Sequence, residues 1–403
     1  MSLSPYEFAY TNNYDYNENH VDRWATYQTE EQNIFGSNTL YPYTTQLQSD
    51  ANAFAAAWNL SEITLPTGGV ITVNYEADDY QYVQNRKAQR MCEIIGFATG
   101  SLSSHDSVLS DDKDWMIVDV AESLQNAQEG LKYTAGLKQL YFKAFMKMKE
   151  FEGESNPPPQ TTPFNGSDLV AYDFVEGYLD LASEDPEIYS YGGKNYLAIR
   201  VKKDGRGRHP VKKAGWVALR LNRNDLLDDS GIDIDGFSNF SASILGAIGS
   251  VISKAVEFAV DEGAFFIKAN NRGWCNHLST GLKSIVRLNV AGKKIGGGHR
   301  VKDIKISDEW SQMGGGSSDD YGQTYSYILP DGSSSGVAQY EPLTGGEENP
   351  FREPVRYGTD KLFFKDSDLY SELPIGEAFF PMASVGYSRV VVTNKANQTL
   401  TNG

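Results

Sequence analysis

Apolar and polar positions alternate at both ends of the chain. Ile63-Thr64-Leu65 runs into Pro66-Thr67-Gly68-Gly69, and Val70-Ile71-Thr72-Val73-Asn74-Tyr75-Glu76 follows. Two β-rich runs around a Pro-x-Gly-Gly turn predict a hairpin, because glycine takes positive φ without a steric penalty. Pro5 to Tyr10 predicts a strand in need of a neighbour, and Arg389 to Thr393 predicts another at the far end. Between them, Ile285 to Val290 predicts a strand. His299 to Ile306 follows Gly296-Gly297-Gly298 as a second, and Gln323 to Ile328 returns as a third beyond the flexible turn Gly314 to Ser318.

The period changes in the middle. Ala88, Met91, Ile94 and Ile95 recur among Arg86, Lys87, Gln89 and Arg90, which predicts a short amphipathic helix over 84–97. A Ser/Asp-rich loop over 98–114 follows. Leu131, Leu137, Leu140, Tyr141, Phe145 and Met148 predict helix over 120–150. Asn156-Pro157-Pro158-Pro159 marks a linker within 153–166. Tyr172 to Val201 reads as strands around Tyr191-Gly192-Gly193-Lys194, and Pro210 to Leu226 as a helix with Trp216, Leu219 and Leu221 available for burial. The apolar run 244–260 carries Lys254 and Glu257 and is shorter than the roughly 20 residues a bilayer core needs, so it predicts a buried helix rather than a membrane contact. The expected fold is a β-rich α+β class with four parts. These are a β-hairpin segment over 1–85, a helical segment over 86–155, a mixed insertion over 156–285 with an apolar helix at 240–260, and a second β-hairpin segment over 286–403.

Composition narrows the function. A formal charge of −17 argues against coating nucleic acid, which needs clustered cations. The 24 Tyr and 38 Gly suit exposed, turn-rich β structure. Met1 to Tyr16 holds no basic and apolar leader pattern. The strand-like ends predict a piece of a longer polypeptide. Cys92 and Cys275, each in apolar or aromatic surroundings, read as buried thiols, with their pairing left open.

No run declares a chemistry. Gly332-Ser333-Ser334-Ser335-Gly336 matches a nucleophile elbow, but Pro330-Asp331 before it and Val337 to Tyr340 after it predict a hairpin loop instead. The acidic loop 228–236 lacks the Glu of a calcium loop: counting from Gly231, Ala242 stands at that place. It reads as a helix-capping turn, with calcium left open. His20, His105, His209, His277 and His299 are dispersed, and Cys275 with His277 makes only two ligands, so no metal or cofactor site is assigned. The adjacent acids Glu30-Glu31, Asp78-Asp79, Asp111-Asp112, Asp319-Asp320 and Glu347-Glu348 read as solvated surface, since neighbours on a strand face opposite ways. The basic stretch Lys202 to Lys213 reads as a solvated hairpin or a partner for acidic loops.

The β segments resemble RHS/YD-repeat proteins of Bacteroidota. The hairpin from Ile63 to Glu76 is similar to theirs, and Asp22-Arg23-Trp24-Ala25-Thr26-Tyr27 resembles the element before it, with Ala25 where glycine is usual. Gly297-Gly298-His299-Arg300-Val301-Lys302-Asp303-Ile304, Tyr325-Ser326-Tyr327 and Ser335-Gly336-Val337 resemble a second such hairpin. The resemblance implies a β-shell framework at both ends with a helical insertion, and it carries over no catalytic residue. It implies a non-enzymatic scaffold of a large secreted or cell-surface protein, partnered by the rest of a longer polypeptide or by a toxin domain. The alternatives are an adhesin that meets cell-surface glycan or protein through exposed Tyr and Trp, and a phage or injection-machine component. A hydrolase assembled from distant residues around His277 or His299 is a further reading.

Overall fold

The computed structural model describes residues 4–148, 172–221, 262–308, 320–356, 370–372 and 383–395. The linker 153–166, the acidic loop 228–236, the apolar run 244–260 and the turn 314–318 lie outside them.

In chain order the first strands are β1 (Glu7–Tyr10), β2 (Leu60–Thr64), β3 (Val70–Tyr80), β4 (Tyr82–Val83), β5 (Arg86–Lys87), β6 (Gln89–Thr99), β7 (His105–Asp106) and β8 (Lys113–Asp119). Then come β9 (Gln139–Lys147), β10 (Tyr172–Asp180), β11 (Glu187–Tyr191), β12 (Lys194–Arg200) and β13 (Ser284–Asn289). The last are β14 (Lys294–Ser307), β15 (Asp320–Ser326), β16 (Gly336–Ala338), β17 (Pro354–Arg356), β18 (Tyr370–Glu372), β19 (Val385–Tyr387) and β20 (Val391–Lys395). The helices are α1 (Gln48–Ala55), α2 (Ala127–Thr134), α3 (Pro210–Leu221) and α4 (Glu262–Asn271). The chain is β-rich with a few helices, an α+β arrangement of open antiparallel sheets. It divides into two compact units: Met1–Arg90 with Asn289–Arg352 and Pro374–Gly403, and Met91–Leu288 with Glu353–Leu373.

In the first unit a six-stranded sheet runs β1-β2-β3-β14-β15-β20. The turn after β2 closes through Leu65 N donating to Gly69 O, with Gly68 at φ +91°. β3 then pairs antiparallel with β14, from Val70 opposite Ser307 to Tyr80 opposite Lys294. Strands from the first and the last block of the sequence therefore share one sheet. Gly296, Gly297 and Gly298 all have positive φ and sit where the β3–β14 register slips, between Ile295 and His299. A β-carbon on Gly297 would lie 2.4 Å from Val385 Cγ2, so the kink brings β14 against β19 as only glycine permits. A smaller four-stranded sheet runs β19-β16-β4-β5.

The second unit holds an eight-stranded sheet ordered β10-β9-β13-β6-β8-β12-β11, with β7 against β6, and a two-stranded sheet β17-β18. Leu140, Phe142, Ala144 and Met146 alternate along β9 into a core shared with Val211 and Trp216 of α3 and Phe266 of α4. Trp216 Nε1 donates to Trp274 O at 2.8 Å, which satisfies the one polar atom of that fully buried ring.

Two helical expectations are overturned. Residues 84–97 lie in β5 and β6, and β6 is a central strand buried on both faces. Its near-continuous apolar run therefore fits a helix and an interior strand equally well. Over the described residues 120–148 only α2 is helical. Residues 139–147 form β9, whose apolar positions also satisfy a period of two. The described part of the insertion is thus mostly sheet. The helix at Pro210, the hairpin at 191–194 and the strands of the last third stand where the pattern put them.

Candidate functional site

In the first unit the Asp22-Arg23-Trp24 run makes a turn, with Ala25 in the left-handed region at φ +58° where glycine is at ease. Asp22 Oδ1 accepts the backbone N–H of Trp24 and of Thr26, both at 2.9 Å, and Oδ2 accepts Thr44 Oγ1–H at 2.6 Å. Burial lifts this carboxyl to about 6 against those stabilising hydrogen bonds. Asp22, Tyr27, Phe54 and Gly298 line a shallow cleft of about 250 Å³, open solvent included, with little enclosed space beyond that of a water molecule. An Asp22→Asn variant retains an oxygen for the two backbone donors. The folded state binds the Asp22 proton more tightly than the unfolded chain. The associated stability is present below the ordinary value of 3.8 and lost as pH rises through about 6. Asp22→Asn is therefore expected to gain roughly 1–3 kcal/mol over the native chain at pH 8 and to lose that advantage toward pH 4, read by urea melts across pH.

Arg23 points the other way, into a buried quartet. Its Nη1 lies 2.6 Å from Glu348 Oε2 and 2.8 Å from Glu341 Oε2. Lys294 Nζ lies 3.0 Å from Glu341 Oε1 and 2.8 Å from Glu348 Oε2, and Tyr80 O–H donates to Glu341 Oε1 at 2.8 Å. The two cations and two anions are each at most 4% exposed. Burial resists the charge on Arg23, but Glu341 and Glu348 outweigh it and hold the guanidinium above its ordinary range. Burial and Glu341 likewise keep the Tyr80 phenol protonated.

A second network lies along the β3–β14 kink. Tyr387 O–H donates to Asp78 Oδ1 at 2.6 Å and accepts from Arg300 Nη1 at 2.7 Å. Arg300 also donates to Glu76 at 2.8 Å and to Asp79 at 2.9 Å, and Lys293 reaches Asp79 at 2.8 Å. Ser334, from the run resembling a nucleophile elbow, donates to Asp79 Oδ1. Burial pushes Asp78 up. For Asp79 burial is outweighed by the hydrogen bond and charge of Arg300, and the carboxyl is held below its usual range. Burial together with Asp78 holds the Tyr387 phenol protonated. The arrangement fixes strands: Asp78 Oδ1 takes Tyr387 from β19, while Asp79 takes Ser334 on one oxygen and Lys293 and Arg300 on the other.

Several sequence expectations meet corrections here. Asp78, Asp79 and Glu348 are buried, not solvated. Asp78 and Asp79 meet in one network at the β3–β14 irregularity: Tyr387 holds Asp78, Arg300 holds Asp79, and Arg300 donates to Tyr387. The 330–336 run is the expected hairpin loop, closed by Leu329 N to Ser333 O and by an antiparallel Ile328–Ser334 bridge. Cys92 and Cys275 are both free and buried, and burial pushes the Cys275 thiol up, away from reactivity. His277 is exposed while Cys275 is fully buried, so the structure does not bring them to one site. His299 meets Tyr75 edge-on at 5.2 Å. The basic stretch is tied to acids, with Arg208 to Asp204 at 2.6 Å, Lys203 to Asp114 at 2.7 Å and Lys212 to Asp111 at 3.0 Å. Among the described residues no group of three or more His, Cys, Asp or Glu is placed to hold a metal ion, and no helix is long and apolar enough to cross a membrane. Sequence reasoning missed Tyr387, Lys294 and Glu341, whose significance arises only from long-range pairing.

The outer edges of the six-stranded sheet are the remaining candidate. Phe8, Ile63, Ile71, Ile306 and Tyr321 stand opposite one another across five strands, an apolar row on one face. At its ends, β1 is exposed throughout, with Phe8 and Tyr10 at 56% and 54%, and Val392 on β20 is 50% exposed. Among the described residues no strand pairs with the outer edge of β1 or of β20. No family model, curated protein or solved structure matches the chain.

Proposed function

We propose that the chain is a non-enzymatic structural segment of a larger secreted or cell-surface protein of the RHS/YD-repeat kind, which encloses or displays a toxin or a binding module. The observation that carries this reading is the six-stranded sheet. It is built from both terminal blocks and ends on two edges that, among the described residues, no strand covers and that carry exposed apolar side chains. Such edges favour strand addition, and proteins that stay free in solution usually cover or charge them. The buried ionic groups support the same reading. Arg23, Lys294, Glu341 and Glu348 tie distant segments together, which suits a load-carrying framework better than a reaction centre.

An antibody raised against this chain tests the reading on the cells that make it. Immunoblots of surface, secreted and cytosolic fractions are expected to show a band well above the mass of this chain, outside the cytosol. A cytosolic band at the mass of the chain itself overturns the proposal.

A further inference from the structure

We propose that the two free edges are complementary halves of one contact, and that β20 of one copy takes β1 of a second copy as an antiparallel strand. This rests on the framework reading and adds an occupant, an orientation and a register. Strand direction comes first. Each neighbouring pair along β1-β2-β3-β14-β15-β20 is antiparallel, so β1 and β20 run in opposite senses. A second copy that extends the sheet with the same facing therefore presents β1 antiparallel to β20, and the alternation continues unbroken. A symmetric β1 to β1 contact would use only one edge.

Side-chain parity comes second. Phe8 shares a face with Ile63, Ile71, Ile306 and Tyr321. Tyr325, four residues on from Tyr321 along the same strand, shares that face and is opposite Val392. Phe8 and Val392 are thus on one face. Glu7 and Lys395 are on the other: Glu7 is opposite Thr64, and Lys395 is opposite Gly322, which is itself opposite Lys305. Registers that keep the faces matched differ by two residues, because a slip of one would turn every side chain over.

Charge selects among these. Opposing Glu7 to Lys395 places Phe8 against Asn394, Ala9 against Thr393 and Tyr10 against Val392, so all of β1 is paired within β20. It sets the single acid of β1 against the single base of β20, both exposed. Among the described residues Lys395 has one long ion pair, 3.8 Å from Asp303, and its side chain stays 54% exposed. A cross-strand pair of opposite charges contributes about 0.2–1 kcal/mol, and reversing it to like charges costs a similar amount. The strands are short, so the contact is reversible and concentration-dependent. It is also head-to-tail, so it extends into linear chains rather than closing on a dimer.

Cysteine trapping tests the register directly, because Cys92 and Cys275 are buried and do not compete. Full-length Glu7→Cys and Lys395→Cys chains, separately tagged, are mixed at high concentration and oxidised gently. The expected product is the mixed disulfide, several-fold in excess of either homodimer, because only a β1–β20 contact in this register brings the two introduced sulfurs within bonding reach. Sedimentation of the native chain is expected to show a ladder of oligomers that Ala9→Pro abolishes, with the folded monomer kept. A statistical mixture of disulfides, a dominant Glu7→Cys homodimer, or a strict monomer at high concentration each overturns this contact. None of these outcomes decides the native mass or location of the polypeptide, so the framework reading stands or falls separately.

Discussion

An Arg23→Ala chain is expected to lose about 3–5 kcal/mol of stability, enough to unfold much of the first unit in moderate urea. The reason is the company Arg23 keeps. Removing it leaves Glu341 and Glu348 fully buried with Lys294 as their sole remaining cation in the quartet, in a place where water does not enter to screen them. The loss is the penalty of an uncompensated buried charge more than the value of one ion pair. Adding Glu348→Gln restores neutrality within the cluster and is expected to recover part of the loss, with a coupling on the order of 1–3 kcal/mol in a double-mutant cycle. Urea melts followed by tryptophan fluorescence measure all four corners of the cycle. Strict additivity of the two changes would show that the quartet does not act as a unit.

The second large effect belongs to the other unit and depends on pH. His209 is 0% exposed, packs edge-on to Phe97 at a ring separation of 4.7 Å, and neither ring nitrogen has a hydrogen-bond partner among the described residues. Its backbone N–H donates to Asp111, and Pro210 opens α3 immediately after it. Burial lowers the imidazole from 6.5 to about 3, with Lys212 and Lys203 acting in the same direction and Asp111 and Asp114 opposing them. The sign follows from proton counting. Between these two values the unfolded chain binds a proton at His209 and the folded chain does not, so stability falls as pH falls through the window. The expected slope is about 1.4 kcal/mol per pH unit, roughly 4–5 kcal/mol in total. A His209→Leu chain loses no hydrogen bond from the ring. It is expected to match the native chain within about 1 kcal/mol at pH 7.5 and to pull ahead of it progressively in acid. Parallel stability curves for the two chains from pH 7 to pH 4 would refute the assignment. This acid sensitivity is a folding property, because His209 is fully buried.

These two residues also mark how far the pattern of side chains carries. Arg23 stood out within Asp22-Arg23-Trp24, and His209 stood out as one of five scattered histidines. In neither case did the run of residues reveal burial. Glu348 read as half of a solvated acidic pair, because its partners Arg23 and Lys294 lie far away along the chain and bear on it only after the sheets have formed. Asp79 likewise looked like surface until Arg300, Lys293 and Ser334 converged on it. Tyr387 carried no local signal, since a tyrosine in a short strand is ordinary; its importance comes from hydrogen-bonding Asp78 and Arg300 from the opposite end of the chain.

Elements whose energetics are local were legible in the order of residues alone. Pro66-Thr67-Gly68-Gly69 makes a hairpin because turn geometry and adjacent strands are settled within a few residues, and Tyr191-Gly192-Gly193-Lys194 does the same for β11 and β12. The helix from Pro210 follows from proline at the first turn and a period near 3.6. Tertiary structure alone decided β6 and β9. Their apolar residues suit either period, and the choice fell to the neighbouring strands that hydrogen-bond them on both sides. It alone decided, too, that Thr67 and Gly297 belong to one sheet and that four charges meet where water is excluded. Local preference is written over a handful of residues, whereas strand partnership and charge burial depend on groups hundreds of positions apart that only the folded chain brings together.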